Sequence, residues 1–183
     1  MFLLGNTPAN IIYIVPVGNR GYTWCPATFG NGKRGINNFV QMQFFVLDFD
    51  YGVTWEEISG RAKYYNLPVL FAYETFSSVN MSKFRVIFLN DIAITDKKTA
   101  NVIISALMAI FPECDSSCRD VSHIFFGGKN LFYYDENIPE IGVEILFDKV
   151  FLSSLDYDEI IENLNKTMRY LLKHIEKVMQ NHN

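Results

Sequence analysis

Two carboxylates two residues apart, Asp48 and Asp50, close the apolar run QFFVLDFD. If that run is a strand, period-two alternation sends both side chains to one face, about 6–7 Å apart at Cα. A hard divalent cation sits readily between such a pair, as Mg²⁺ does in phosphoryl-transfer sites. A polar strand end on a solvated face would carry the same two acids to no purpose. Two cations repeat the spacing further on: Lys83 and Arg85 open the run FRVIFL after the hydroxyl-rich YETFSSVNMS. A lysine offers phosphate a point charge and an arginine a two-pronged fork. The plain alternative is an edge strand wearing charges against aggregation.

A third acid is available from Asp115 or Asp120, which flank SSCR before VSHIFFGG. Three acids suit a two-metal site, although an aspartate beside serine is more commonly a turn or cap residue. Cys114, Cys118 and His123 have the spacing C-x3-C-x4-H, but a structural zinc needs a fourth ligand and Cys25 lies far off in sequence, so buried or free thiols are expected. Gly127-Gly128 before Lys129 is too short for a Walker loop and reads as a tight turn between strands, whose amides and lysine can touch a nucleic-acid backbone. A haloacid-dehalogenase phosphatase also places D-x-D after an apolar strand. It wants a hydroxyl two residues beyond Asp50, where this chain has Gly52.

These residues need elements to position them. Residues 19–40, rich in Gly and Asn and carrying Arg20, Lys33 and Arg34, read as a long loop. Residues 43–50 then form a buried strand. Thr54 with Glu57 makes a capping box that opens a helix to about Tyr65, and Pro68 starts the strand PVLFAYETF. After the strand 84–89, Asp96 caps a helix over TANVIISALMAIF, and two short strands lie near HIFF and LFYYD. From Asp156 apolar residues step by three and four from Ile160 to Val178, the pattern of one long amphipathic helix. Strands alternating with helices, then paired short strands, predict an α/β or α+β fold with a mixed sheet. The expected division is a core over 1–150 and a helical extension over 151–183.

Composition narrows the chemistry. The 183 residues are 49% hydrophobic and 20% charged, enough to bury a core, and the apolar runs are too short to span a bilayer. The first residues have no basic start and are broken by Asn, Pro and Gly, so no secretory signal is expected and the cytoplasm is the expected location. Three cysteines fit a reducing compartment. A net charge of −4 excludes coating of nucleic acid by bulk charge, so any phosphate binding is local.

The order of strand and D-x-D, then TFS and KFRVIF, then DSSCRDVSHIFFGG resembles the archaeo-eukaryotic primase superfamily, in particular small primase-polymerase-like replication proteins of plasmids, phages and mobile elements. It covers residues 19–136. The resemblance implies an RRM-like catalytic core with a second α/β unit and a two-metal reaction using Mg²⁺ or Mn²⁺. It implies Asp48, Asp50 and Asp115 as metal-holding catalytic acids, with Asp120 in reserve. Nucleoside triphosphate would meet Ser82, Lys83, Arg85 and His123. A single-stranded DNA template would meet the basic residues Arg20, Lys33, Arg34 and Lys129. The chain departs from the family at the second motif, where Ser-x-His is usual and Ser82-Lys83-Phe84-Arg85 stands here. Tyr51, next to the acids, is a candidate sugar gate. A helicase or other replication module is an expected partner, and no membrane is. The expected function is a template-dependent nucleotidyltransferase. The alternatives are a catalytically inactive single-stranded-DNA-binding or replication-initiation module and, third, the phosphatase.

Overall fold

The computed structural model describes residues 21–50, 52–135 and 137. Arg20, Tyr51, the amphipathic pattern 156–179 and the extension 151–183 lie outside the described residues. Seven strands and two α-helices follow one another along the described chain: β1 (Thr23–Trp24), β2 (Ala27–Phe29), β3 (Phe39–Phe49), α1 (Trp55–Tyr64), β4 (Val69–Thr75), β5 (Phe84–Ile94), α2 (Lys97–Ile110), β6 (Phe125–Phe126) and β7 (Gly128–Tyr134). Both helices begin where side chains supply caps. Thr54 Oγ1 accepts from the Glu57 amide while Glu57 accepts from the Thr54 amide, and Asp96 accepts from the Thr99 amide.

Five strands form one sheet in the order β2-β3-β5-β4-β7, and β1 pairs with β6 in a separate ribbon. Every pair among the described strands is antiparallel, which corrects the mixed sheet expected from the sequence. The reason is placement: β3 and β4, joined through α1, do run the same way, but β5 is inserted between them. Over these three strands and two helices the β-α-β-β-α connectivity is that of a split βαβ unit. The strand beside β3 is β2, which precedes the unit in sequence.

Two further expectations are corrected. Residues 19–40 are not one loop, because β1, β2 and the start of β3 lie within them, β2 and β3 separated by short 3₁₀ turns at Gly30–Gly32 and Ile36–Asn38. The Gly and Asn of those turns masked the short strands around them. Nor do Gly127 and Gly128 turn one hairpin: β6 and β7 pair in different sheets.

The core is aromatic. On one face Phe49, Phe84 and Phe88 meet Trp55 of α1 and Phe111 after α2, and Phe49, Phe84, Phe88 and Phe111 are buried. On the other face Tyr73 and Arg85 meet Trp24, Phe125 and the Phe126 carbonyl of the small ribbon. The helices therefore close one side of the sheet, and the ribbon covers the side on which the charged residues lie. No described helix is long and apolar enough to cross a membrane.

Candidate functional site

Register assembles the site. Asp48 on β3 is opposite Arg85 on β5, and Arg85 is opposite Tyr73 on β4, so the three side chains form one cross-strand row. Alternation puts Asp50, Lys83 and Thr75 two residues on, beyond or at the strand ends. The acids and cations singled out in the sequence thus come together in pairs. Arg85 Nε and Nη2 both donate to Asp48 Oδ2, at 2.9 and 2.8 Å. Lys83 Nζ stands 3.2 Å from Asp50 Oδ1.

Arg85 is the hub. Its Nη1 donates to the Phe126 carbonyl at 2.5 Å and to the Tyr73 hydroxyl at 3.5 Å, and its guanidinium lies 5.4 Å from the Phe125 ring centre and 5.8 Å from that of Tyr73. The Tyr73 hydroxyl also accepts from Trp24 Nε1 at 3.1 Å and donates to the Phe126 carbonyl at 3.0 Å. Trp24, Tyr73, Phe125 and Phe126 went unremarked as site residues in the sequence. The one legible signal was a tyrosine and a glutamate, Tyr73 and Glu74, inside an otherwise apolar strand run.

Asp115 arrives from beyond α2. Strand β2 pairs with β3 only between Phe39 and Met42, leaving the far half of that edge open. The 3₁₀ turn Ser116–Arg119 fills it: the Asp115 amide donates to the Asp48 carbonyl at 2.8 Å, and the Asp48 amide donates to Cys118 Sγ at 3.3 Å. The Asp115 carboxylate accepts from the Ser117 amide at 2.8 Å, which with the nearby His123 holds its pKa below the ordinary value. Burial raises the Asp48 pKa most, Asp50 and Asp115 push it the same way, and Arg85 opposes them.

The remaining expected residues are placed as follows. Ser82 Oγ accepts from the Val79 amide in the turn before β5. His123 lies edge-on to Phe125, 4.7 Å between ring centres. The Asp120 carboxylate accepts from the Ser122 amide and hydroxyl, closing a turn of its own. Exposed Arg34 donates to the Ser122 carbonyl at 2.6 Å, and Lys33 is exposed at the end of a 3₁₀ turn. Lys129 turns inward, to the Ser78 carbonyl at 2.6 Å and Glu74 at 3.3 Å.

A hard divalent ion suits carboxylate oxygens, and Asp48 Oδ1 is buried without a hydrogen-bond partner. The arrangement nevertheless does not fit a two-ion centre. Among the described residues no three His, Cys, Asp or Glu side chains are gathered to hold an ion, and a guanidinium already occupies Asp48 Oδ2. Nor is there support for zinc at Cys114 and Cys118: among the described residues no third ligand is gathered with them, and both thiols are buried in the core, where desolvation raises their pKa to about 11 and about 12.

No family model matches the chain, and no curated protein matches it. Among solved structures the chain is similar to the AEP domain of the primase-polymerase of cyanophage S-2L, at 12% identity and a TM-score of 0.48. The match covers 65% of this chain and 65% of that one, so the chain spans just under two thirds of its length.

Proposed function

We propose that the chain is a nucleotidyltransferase-like domain of the primase-polymerase type, handling nucleoside triphosphate on single-stranded DNA at the sheet end that carries Asp48, Asp50, Asp115, Lys83 and Arg85. The observation that carries this reading is the pairing of acids with cations at one sheet end, Asp48 with Arg85 and Asp50 with Lys83, beside the turn that brings in Asp115. Asp115 is bonded through its amide to the Asp48 carbonyl, and Asp50 and Asp115 both raise the proton affinity of buried Asp48. A buried carboxylate perturbed by desolvation together with specific charge partners is a candidate for a functional site.

The test is incorporation of labelled nucleotides on a primed single-stranded template, with and without Mg²⁺ or Mn²⁺, in wild type and Asp48→Asn/Asp50→Asn. Incorporation lost in a double variant that keeps its melting temperature supports the reading. Incorporation that persists in the double variant sinks it.

A second reading, the non-catalytic DNA-binding module, is favoured by one observation: Arg85 spends its donors on Asp48, Tyr73 and Phe126. An arginine held in this way is less available to neutralise a triphosphate during transfer. The mark of such a module is salt-sensitive, metal-independent binding of an oligonucleotide with no incorporation. The phosphatase reading has less to stand on, since a nucleophilic Asp48 needs an approachable oxygen, whereas Oδ2 takes two arginine donors and Oδ1 is buried.

A further inference from the structure

The segment joining β4 to β5 is built unlike an ordinary hairpin connection. Its turn runs Val79-Asn80-Met81-Ser82, with the Ser82 amide donating to the Val79 carbonyl at 3.1 Å. Both central residues are left-handed, Asn80 at φ 52° and Met81 at φ 62°. That is the turn family in which glycine normally takes the second central position, and a methionine there persists only where its surroundings hold it.

The surroundings that hold it are a buried carboxylate and a lysine. Glu74 is 7% exposed, and its Oε1 accepts from the Met81 amide at 3.1 Å. Lys129 Nζ, 3.3 Å from the same oxygen, donates to the Ser78 carbonyl at 2.6 Å. Burial works to raise the Glu74 pKa, yet Ser78, the Met81 amide and Lys129 together hold it below the ordinary value. Lys129 gets this close because it follows Gly128, which β7 sets opposite Thr75; a Cβ there would run into the Glu74 carbonyl and the Tyr73 ring.

What this bracing fixes is Lys83. The Lys83 amide donates to Ser78 Oγ at 3.1 Å, and its carbonyl accepts from the Thr75 amide at 3.1 Å. Its side chain is only 16% exposed, with Nζ against Asp50. A lysine serving only to keep a strand edge soluble would be left in water to sample its rotamers.

We propose that Glu74 and Lys129 are positioning residues: through the Ser78–Met81 loop they set Lys83 where it meets phosphate beside Asp50. This rests on the proposed nucleotide-handling function for the ligand, but the bracing itself is testable without any ligand.

The variants are Glu74→Gln, Lys129→Met and Lys129→Arg. Amide hydrogen exchange of the apo protein gives the first readout. Glu74→Gln and Lys129→Met are expected to speed exchange at Met81 and Lys83 by about tenfold or more while β3 amides are unchanged, and Lys129→Arg to restore protection. Titration with dATP, and separately with oligo(dT), gives the second. Triphosphate affinity is expected to fall about 5–10-fold in the first two variants, with recovery in Lys129→Arg. Unchanged exchange in both Glu74→Gln and Lys129→Met overturns the bracing. Faster exchange with unchanged dATP affinity overturns the role assigned to Lys83. If wild type binds neither probe, the proposed function fails, and the exchange data alone decide whether Glu74 and Lys129 hold the loop. If Glu74→Gln does not fold, Lys129→Met, altered at a partly exposed side chain, carries both readouts.

Discussion

Arg85 grips one oxygen of Asp48 with two donors, at 2.9 and 2.8 Å, across neighbouring strands in register, and both side chains are nearly out of water at 11% and 14% exposure. The geometry is that of an internal counter-ion. Removing one partner of such a pair strands the other, which costs more than the pair contributes.

Arg85→Gln is therefore expected to destabilise the fold by about 3–5 kcal/mol, read from urea unfolding at neutral pH. The pH dependence has a definite sign. Burial already raises the Asp48 pKa above its ordinary 3.8, and loss of Arg85 removes the opposing effect. An acid with a raised folded-state pKa contributes stability below its unfolded value that is lost as pH rises through the folded one. The deficit of Arg85→Gln should thus shrink on acidification toward pH 3.8, and Asp48→Asn/Arg85→Gln should lose less than the sum of the single changes. A deficit that is constant with pH would show that Asp48 is not the stranded partner.

Substitution separates the capping role of Asp115 from the role proposed for its charge. As N-cap of Ser116–Arg119 it accepts from the Ser117 amide, a task asparagine performs equally well. Asp115→Asn is expected to keep the melting temperature while reducing nucleotide incorporation by about 100-fold, if charge at this point serves the reaction. Asp115→Ala should lose the same activity and about 1 kcal/mol of stability besides. Full activity in Asp115→Asn would reduce the residue to a cap.

Local signals were well written in the sequence and distant ones were not. The Thr54–Glu57 box and the Asp96 cap depend on residues three apart and stand where the pattern put them. Same-face placement of Asp48 with Asp50 and of Lys83 with Arg85 follows from alternation alone. Which cation meets which acid depends on the register of β3 against β5, 37 residues apart for Arg85 and Asp48, and no short-range pattern encodes it. The antiparallel sheet eluded prediction for the same reason: a strand-helix-strand order suggests adjacent parallel strands, and only the insertion of β5 separates them. Strand β1 was hidden because a two-residue strand has no periodicity to read, and its pairing with β6, expected only as a short strand near HIFF, joins residues about a hundred apart. The inward bonds of Arg85 and Lys129 were not legible either, since charge type alone does not say which internal acceptors a cation meets.

Away from the site, Arg61 on α1 and Glu113 after α2 form a two-pronged bridge at 2.7 Å for each contact, and Arg61 also donates to the Ile110 carbonyl at 3.0 Å. The Arg61 hydrogen bonds hold the Glu113 pKa below its ordinary 4.5. A depressed carboxyl contributes stability above its unfolded pKa that is lost as pH falls through the folded one. Wild type should therefore lose stability on acidification below about pH 4.5 more steeply than Glu113→Gln, the two curves converging at the acid end. Both side chains are about a third exposed, so added salt should narrow the difference. Parallel curves would mean that the bridge contributes nothing in solution.

Gly128 tests whether the floor of the site is as tightly built as its contacts imply. A methyl group at this position would collide with the Glu74 carbonyl and the Tyr73 ring, one of them backbone and the other a fully buried side chain. Neither can swing aside, so Gly128→Ala forces β7 away from β4 and is expected to cost about 2–3 kcal/mol, in the range of overpacked cores. The damage should also reach the charged row, because Tyr73 carries the hydroxyl that meets Trp24, Arg85 and the Phe126 carbonyl. In a Trp55→Phe background, which removes the tryptophan packed on β7, the fluorescence of Trp24, whose Nε1 donates to that hydroxyl, should shift in Gly128→Ala at temperatures well below its melting transition. A variant that melts early but leaves this emission unchanged would confine the effect to the β4–β7 edge and uncouple it from Arg85.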